Sequence, residues 1–388
     1  MTTSSHELIS TPLTAALFRG AAEIETTGRG VIVHRLPSWA RAQNTDPQLA
    51  MAEAQPSGVR LALRTAASTI ELEVLRSRTT YTGVPLRPDG MIEVMVDDAP
   101  FASATMSGGT IVTVDMSTGA RSAEEGPSSA ARFTGLPDVP KDVEIWLPHN
   151  EVVEVIALRA DAPVEPALDR GRKRWLHHGS SISQGSNAVR PTGTWPAVAA
   201  RRACVELTNL GLGGSALLDP FVARTIRDTA ADVISVKLGI NLVNADLMRI
   251  RAFGPAVHGF LDTIRDGHPT TPLLVVSPIY CGIHEDTPGP CTFDLDALAH
   301  GALRFRAVGD PAERSAGKLT LTAIREELAR VVRDRRRTDP HLHHLDGLGL
   351  YGQADAVPHP LPDALHPDAA THQMIGERFA PVLSDLAA

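Results

Sequence analysis

The feature that most constrains the fold is a change of hydrophobic pattern near residue 165. Between about residues 30 and 160, apolar and polar residues alternate, as in the segments 59–64, 70–74 and 92–96. This alternation is typical of strands that have one buried face and one exposed face. Beyond residue 166, short apolar runs alternate instead with segments of helical periodicity. That second pattern indicates a parallel sheet covered by helices, so the two halves of the chain require different architectures.

The change of pattern coincides with a proline-containing segment. Pro163 and Pro166 lie in the polar stretch 161–166, whose composition favours a linker. We therefore predict two domains, residues 1–165 and residues 166–388. The first is expected to be an antiparallel β-sandwich of jelly-roll type without helices. Its predicted strands include residues 59–64, 70–74, 92–96, 111–116, 143–147 and 152–158.

The second domain is expected to contain a parallel sheet whose ligands bind at the carboxyl ends of the strands. One segment, residues 281–318, interrupts the alternation and is rich in proline and glycine. A hairpin between residues 302–308 and 318–321 is predicted inside it, as part of a substrate loop or of an ordinary surface loop. The predicted strands of the sheet lie near residues 174–178, 205–210, 233–238, 272–276 and 342–345.

Residues suited to acyl chemistry follow three successive strands of this sheet. The segment 179–181, Gly-Ser-Ser, follows the first strand, where glycine allows a sharp turn that leaves a serine hydroxyl uncovered. Gly214, in a glycine-rich segment after the second strand, can offer a backbone N–H to a developing oxyanion. Asn241 follows the third strand and can add a side-chain N–H donor. Taken singly, each feature is equally typical of a turn or a helix cap.

An aspartate and a histidine lie three residues apart near the C-terminus. The carboxylate of Asp363 can accept a hydrogen bond from the ring of His366, which sets the tautomer of the ring and stabilises its protonated form. Alone, the pair could equally be a helix-capping aspartate and a surface histidine. Together with the serine and the two oxyanion donors, it indicates nucleophilic catalysis through a serine.

In these blocks the second domain resembles the GDSL/SGNH hydrolase superfamily over roughly residues 172–385. The resemblance implies that Ser181 is the nucleophile, His366 its base and Asp363 the acid that orients the base. It implies an oxyanion hole formed by the Ser181 N–H, the Gly214 N–H and the Asn241 side chain. The implied fold is a three-layer α/β/α sandwich around a parallel sheet of about five strands. The implied mechanism requires no metal and no prosthetic group.

Two positions depart from the family pattern. The first block usually has aspartate where this chain has Ser180, which leaves Ser180 and Ser181 as candidate nucleophiles. Alignment on Ile182 favours Ser181. The third block usually continues with aspartate, whereas Leu242 follows Asn241 in this chain. Because oxyanion stabilisation needs only the carboxamide, we expect this second departure to leave activity intact.

Composition narrows the expected partners and compartment. The formal net charge of −8 argues against a nucleic-acid partner. We expect neither export nor a membrane span, because the N-terminus lacks a signal pattern and no run of about 18 apolar residues is present. The three cysteines cannot all pair within the chain and show no metal-ligand spacing. The expectation is a cytoplasmic enzyme without cofactor or metal that acts on small molecules.

The resemblance leaves the acceptor of the acyl group open. The arrangement of a strand-rich module before a Gly-Ser-Ser-Ile block is similar to that of certain GDSL acyltransferases. Those enzymes transfer a salicylyl group from salicylyl-coenzyme A to tetracycline-like aromatic polyketides. This likeness implies an acyl-coenzyme A donor and a hydroxyl acceptor. The alternative is an esterase or deacetylase acting on a carbohydrate or small ester. A third hypothesis is a carbohydrate-binding protein whose second domain is inactive.

Overall fold

The computed structural model describes residues 8–115 and 118–388. The chain forms two compact units, each with its own hydrophobic core. The first unit comprises Met1–Arg35, Glu53–Gly171 and Arg190–Thr192. The second comprises Leu36–Ala52, Arg172–Val189 and Gly193–Ala388. Whether the chain forms independently folding domains with a boundary at residue 165 stays a prediction.

The first unit is built from strands. In the described residues they are β1 (Ile9–Thr11), β2 (Phe18–Arg19), β3 (Glu23–Thr26), β4 (Val31–His34), β5 (Arg60–Thr65), β6 (Thr69–Tyr81), β7 (Met91–Val96), β8 (Ala99–Thr105), β9 (Thr110–Val114), β10 (Arg121–Glu124), β11 (Ser129–Thr134), β12 (Lys141–Trp146), β13 (Val152–Ala160) and β14 (Val164–Pro166). A short 3-10 turn covers Ala15–Leu17. The predicted strand 111–116 corresponds to β9, and its last residue, Met116, lies outside the described residues.

These strands form two sheets that share one core. One sheet has the order β10-β9-β6-β13-β4-β3, with β1 on β13 and β11 on β6, and the other has the order β14-β5-β12-β7-β8, with β2 on β5. Neighbouring strands are antiparallel except β6 and β9. Along β6, Ile70, Leu72 and Val74 are buried while the residues between them are half-exposed. The period-two pattern thus places alternate side chains in the core, and the antiparallel sheets of this unit confirm the predicted class.

Two sequence expectations in this region are wrong. The segment predicted as a linker contains β14, which pairs with β5 as part of a sheet. Two helices, α1 (Ser38–Arg41) and α2 (Pro47–Ala54), also interrupt the strand region. Leu36, Ala40 and Leu49 are buried in the core of the second unit. The segment 36–52 is therefore part of the second unit, although it precedes most of the first in sequence.

The second unit alternates strands with helices, as the sequence predicts. Its remaining elements are β15 (Arg174–Gly179), α3 (Ser181–Gln184), α4 (Trp195–Arg202), β16 (Glu206–Gly211), α5 (Pro220–Asp228), β17 (Val233–Lys237), α6 (Ile240–Asn244), α7 (Ile250–Gly267), β18 (Leu273–Val276), β19 (Cys291–Phe293), α8 (Leu295–Ala299), β20 (Phe305–Ala307), α9 (Leu321–Arg335), β21 (Leu342–Leu345) and α10 (Ala369–Ala387). Short 3-10 turns cover Pro311–Ala316 and Gly347–Gly349, whereas the turn Pro191–Gly193 lies mostly in the first unit.

Five strands form one parallel sheet in the order β16-β15-β17-β18-β21. Helices cover both of its faces, because Trp175 of β15 stacks on Phe379 of α10 whereas His178 of the same strand stacks on Phe260 of α7. The register pairs Gly179 with Gly211, so the loops after β15 and β16 leave the sheet side by side. This arrangement confirms the expected α/β class with its parallel sheet.

The predicted hairpin in the segment 281–318 has a different partner from the expected one. Phe305–Ala307 pairs with Cys291–Phe293, rather than with residues 318–321. The backbone N–H of Phe305 donates to the carbonyl oxygen of Asp363 at 2.9 Å. The hairpin is thus joined to the loop that carries the aspartate and histidine of the proposed triad. In the described ranges, no helix combines the length and apolar character that crossing a membrane requires.

Candidate active site

The two candidate serines occupy different environments at the start of α3. Ser180 is 1% exposed and is the N-cap of the helix, where its Oγ accepts a hydrogen bond from the Ile182 N–H at 3.3 Å. This is the usual role of a serine that precedes a helix. Ser181 is the first helical residue and is partly exposed. Its hydroxyl is therefore accessible, whereas the buried hydroxyl of Ser180 caps the start of α3.

Two glycines allow the nucleophile helix to lie directly against the ends of the strands. A Cβ built on Gly179 would lie 2.3 Å from Ser183 Oγ, and one built on Gly211 would lie 2.3 Å from the Gln184 backbone nitrogen. Both distances are far shorter than any van der Waals contact, so side chains at these positions would displace α3. Asn209 also donates from Nδ2 to the Ser183 carbonyl oxygen at 3.0 Å.

Ser181, His366 and Asp363 form a continuous hydrogen-bonded triad. The Ser181 Oγ lies 2.9 Å from His366 Nε2, and His366 Nδ1 lies 2.8 Å from Asp363 Oδ2. A carboxylate can only accept, so Nδ1 carries the proton and Nε2 is left as the acceptor for the serine hydroxyl. This tautomer is the one that a general base needs. The geometry brings together three residues that the sequence separates by up to 185 positions.

Asp363 is held as a carboxylate although it is 5% exposed. Burial alone would favour the neutral acid, but hydrogen bonds from the His366 ring and from the backbone N–H groups of Leu365 and His366 outweigh it. Together they keep the pKa of Asp363 far below its ordinary value. Its Oδ1 accepts from Leu365 at 3.0 Å and from His366 at 2.7 Å, and its Oδ2 also accepts from Asn187 Nδ2 at 3.1 Å.

The two proposed oxyanion loops are joined to the nucleophile helix and to each other. The Gly213 N–H donates to Gln184 Oε1 at 2.7 Å, and a Cβ built on Gly213 would lie 3.6 Å from Ser181 Cβ. The Ala216 N–H donates to Asn241 Oδ1 at 3.1 Å. Because this bond occupies the oxygen of the Asn241 carboxamide, the orientation of the Nδ2 donors is determined. The loops after β15 and β16 thus meet beside Ser181, and the loop after β16 is also bonded to Asn241 after β17.

A series of buried hydrogen bonds connects the parallel sheet to helix α3, which carries Ser181. Trp175 Nε1 donates to Ser235 Oγ at 2.8 Å, Ser235 Oγ lies 2.7 Å from His177 Nδ1, and His177 Nε2 lies 2.8 Å from Ser183 Oγ. An indole N–H can only donate, so Ser235 Oγ accepts from Trp175, and the two ring nitrogens of His177 bridge Ser235 Oγ and Ser183 Oγ. Burial holds the pKa of His177 well below its ordinary value, so the ring stays neutral. His177 therefore orients α3.

Three residues that contact the site are not predicted from the sequence. Gln184 accepts from Gly213, Asn187 donates to Asp363, and Gln48 donates from Nε2 to the Gly213 carbonyl oxygen at 2.9 Å. Gln184 follows Ser181 by one helical turn, which is the one clue that spacing could have given. Gln48 lies in the segment 36–52, which the strand pattern assigned to the other domain.

An aromatic pair of the β19–β20 hairpin borders the histidine. Phe305 packs edge-to-face on the His366 ring, with centroids 5.5 Å apart and an interplanar angle of 76°. Phe293 lies opposite Phe305 in the register and 5.1 Å from it. Both side chains are half-buried. The described residues contain no cluster of three or more histidine, cysteine, aspartate or glutamate side chains able to hold a metal ion.

Comparison with protein families gives a match to the same region. Residues 172–283 match the model of the GDSL-like Lipase/Acylhydrolase family, a segment shorter than one third of the chain. The matched segment falls almost wholly within the second unit and contains residues 179–181, Gly214 and Asn241. A comparison with the curated proteins finds no match.

Solved structures with the same fold extend over almost the whole chain. The salicylyl-acyltransferase SsfX3 from a tetracycline biosynthetic pathway aligns with a TM-score of 0.80 and 24% identity, covering 98% of this chain and 97% of that one. A protein from Bacteroides ovatus, described as a GDSL-like lipase, gives 0.68 and 16%, covering 98% of each chain. An active-site mutant of a family two carbohydrate esterase from Clostridium thermocellum gives 0.59 and 12%, again covering 98% of each.

Proposed function

We propose that the protein transfers an acyl group through an ester on Ser181, from a coenzyme A thioester to a hydroxyl of a natural-product acceptor. The observation that carries this proposal is the triad geometry, with Ser181 Oγ 2.9 Å from His366 Nε2 and His366 Nδ1 2.8 Å from Asp363. A serine hydroxyl is a weak nucleophile unless an adjacent base removes its proton. His366, with Nε2 as the acceptor 2.9 Å from the Ser181 hydroxyl, provides that base.

In the first half-reaction, His366 Nε2 takes the Ser181 proton while Oγ attacks the thioester carbonyl carbon. The carbon–sulfur bond then breaks, the protonated histidine gives its proton to the departing thiolate, and the acyl group remains as an ester on Ser181. In the second half-reaction, His366 removes the proton of an incoming hydroxyl, whose oxygen attacks the acyl carbon. Ser181 Oγ leaves and recovers its proton, so the enzyme returns to its starting state.

The negative oxygen of each tetrahedral intermediate needs donors that are already in place. We assign this role to the Ser181 N–H, the Gly214 N–H and the Asn241 Nδ2. The bond from the Ala216 N–H to Asn241 Oδ1 supports the last assignment, because it leaves the amide donors for the substrate. Removing one such donor typically costs ~3 kcal/mol of transition-state stabilisation.

Two observations favour an aromatic acyl group. The fold extends over the full length of a salicylyl-acyltransferase. The Phe293–Phe305 pair also places an aromatic surface against His366, where the acyl part of the donor must approach. Aromatic rings prefer offset or edge-to-face contacts, each worth about 1 kcal/mol beyond the area they bury. A coenzyme A thioester as donor implies that the reaction takes place in the cytoplasm.

Hydrolysis of an ester on a carbohydrate or small molecule is the second candidate. It is supported by the full-length likeness to a family two carbohydrate esterase. The first half-reaction is the same, and water rather than an alcohol then attacks the acyl-serine. The two functions differ only in which nucleophile the site admits and in how well it excludes water.

The partition of the acyl-enzyme distinguishes these functions. The protein is incubated with benzoyl-coenzyme A or acetyl-coenzyme A together with a polycyclic phenol or a sugar alcohol, and ester and free acid are quantified by mass spectrometry. Transfer predicts ester with the phenol and faster acylation by the benzoyl donor. Free acid as the sole product with every acceptor would establish hydrolysis instead. Absence of acylation by either donor would overturn both.

A further inference from the structure

Gln48 contacts the Gly213–Gly214 peptide from a part of the chain that precedes the nucleophile by more than a hundred residues. Its Nε2 donates to the Gly213 carbonyl oxygen at 2.9 Å. The same side chain packs on Gly214, where a built Cβ would lie 3.2 Å from Gln48 Cγ and 3.3 Å from Nε2. We infer that Gln48 is a positioning residue that aims the Gly214 N–H at the oxyanion.

The planarity of the peptide bond couples the Gly213 carbonyl to the Gly214 N–H. In a trans peptide the carbonyl of one residue and the N–H of the next point in opposite directions within one plane. A hydrogen bond that holds the Gly213 carbonyl toward Gln48 therefore holds the Gly214 N–H away from Gln48. A Cβ built on Gly213 would lie 3.6 Å from Ser181 Cβ, so this peptide lies beside the nucleophile, and we assign its N–H, held away from Gln48, to the oxyanion.

Without Gln48, the plane of the Gly213–Gly214 peptide could flip to the opposite direction. Gly214 has a φ of +73°, in the left-handed region that glycine enters without strain, and Gly213 also lacks a side chain. The hydrogen bond from the Gly213 N–H to Gln184 Oε1 restrains the preceding peptide plane only. The plane that contains the Gly214 N–H is the central peptide of a turn closed by the bond from the Ser215 N–H to the Leu212 carbonyl oxygen at 3.0 Å. Turns of types I and II both form this bond and differ in the direction of the central plane. The Gln48 donor, with a longer contact of 3.4 Å from Ser215 Oγ, selects one of the two directions.

The position of Gln48 is itself well determined. Its backbone N–H donates to Asp46 Oδ1 at 2.9 Å at the start of α2. The next residue, Leu49, is 3% exposed in the core of the second unit together with Leu36 and Ala40. The segment 36–52 therefore holds the Gln48 side chain against Gly213 in the way that a supporting residue of an active site must be held.

This inference rests on the proposed function and makes a separate prediction. In Gln48→Met, which keeps the volume but has no donor, the rate of acylation of Ser181 should fall about 10- to 100-fold, because small misplacements of a catalytic group have effects of this size. The KM for the acyl donor should be nearly unchanged, since the Gly214 N–H stabilises the oxyanion of the transition state rather than the bound substrate. Gln48→Glu, which is isosteric and cannot donate when ionised, should show the same loss.

The test measures burst-phase acylation by an aryl ester and the affinity of an aryl boronic acid, which forms a tetrahedral adduct with serine. Affinity for the boronic acid should fall in parallel with the acylation rate. The matched control is Gln43→Met, which removes the hydrogen bond to Arg224 from the same segment and should leave both quantities unchanged. Parent-like acylation in both Gln48 variants would overturn the positioning role alone, whereas a parent protein that never acylates would overturn the proposed function as well.

Discussion

At the scale of single residues, the site depends on which atom of Asp363 bonds to which partner. Oδ2 receives the His366 ring N–H, while Oδ1 receives two backbone N–H groups that keep the carboxylate in place. The aspartate therefore defines both the protonation state and the orientation of the ring. A neutral carboxamide could occupy the same space but would offer an N–H where the ring needs an acceptor.

Asp363→Asn is expected to lower kcat by about 10⁴-fold, because the wrong tautomer of His366 would face Ser181. The KM for the acyl donor should change little. The measurement is steady-state hydrolysis of an aryl ester, with Asp355→Asn as the control. Asp355 bonds to Arg378 at 2.7 Å and 2.9 Å and has no contact with the triad. Equal rates in Asp363→Asn and the parent would contradict the assignment.

At the scale of elements, the turn between β17 and α6 places Asn241 through an unusual backbone conformation. Gly239 has a φ of +127°, and a Cβ there would lie 2.7 Å from Ile324 Cγ2 of α9. Both the conformation and the contact exclude other residues without local rearrangement. The glycine at position 239 is thus explained by strand-to-helix geometry.

Gly239→Ala should lower the free energy of unfolding by about 1–3 kcal/mol, because it combines a strained φ with a steric overlap. The control is Gly259→Ala, an exposed position inside α7 with no atom within 4 Å of the built Cβ. There the substitution should raise stability by roughly 1 kcal/mol, since alanine favours helix over glycine. Urea unfolding of both variants gives the comparison, and a Gly239 variant as stable as the parent would refute the account of this turn.

The elements that sequence patterns predicted are those with strong local signals. Strand β18, an unbroken apolar run, lies within one residue of its predicted bounds, 272–276. Strand β6 has clear alternation and begins one residue before its predicted segment, 70–74, but continues to Tyr81. Helices α1 and α2 were missed because they are short and lie in a strand-rich region, and their burial depends on packing against distant residues. The partner of β20 was predicted wrongly for the same reason, since pairing across a loop leaves no local pattern.

In the candidate site, too, only residues with a local sequence pattern could be predicted. The segments with Ser181, Asn241 and His366 could be chosen from the sequence because each follows a strand or has a characteristic spacing. The choice between Ser180 and Ser181 needed the observation that Ser180 caps α3. Gln48 and Asn187 could not be found at all, because their contacts join segments that only the tertiary structure brings together.

At the scale of the whole molecule, buried neutral histidines couple stability to pH. His372 is fully buried, and burial lowers its pKa to about 4 despite the hydrogen bond to the Ser186 carbonyl oxygen. Its ordinary pKa of 6.5 applies in the unfolded chain. Between pH 6.5 and about 4 the unfolded state binds the proton and the folded state does not. The free energy of unfolding must therefore decrease as pH falls through this range. His177, whose pKa is also lowered by burial, acts in the same direction.

We expect the slope of this decrease to be smaller in His372→Gln by up to about 1.4 kcal/mol per pH unit, even if the variant is less stable at neutral pH. Glutamine can still donate to the Ser186 carbonyl oxygen but does not titrate. The measurement is urea unfolding at several pH values between 6.5 and about 4, with the same substitution at the exposed His341 as the control. An unchanged slope in His372→Gln would contradict the assignment of His372 as a buried neutral group.

The central claim, that Ser181 carries the acyl group, is tested most directly by locating that group. The protein is mixed with benzoyl-coenzyme A, quenched in acid during the burst and digested, and the modified peptide is sequenced by mass spectrometry. We expect one benzoyl ester, on Ser181, that is absent from Ser181→Ala and still forms in Ser180→Ala. A benzoyl group on Ser180 or on a cysteine, or no acylation of the parent protein, would contradict it.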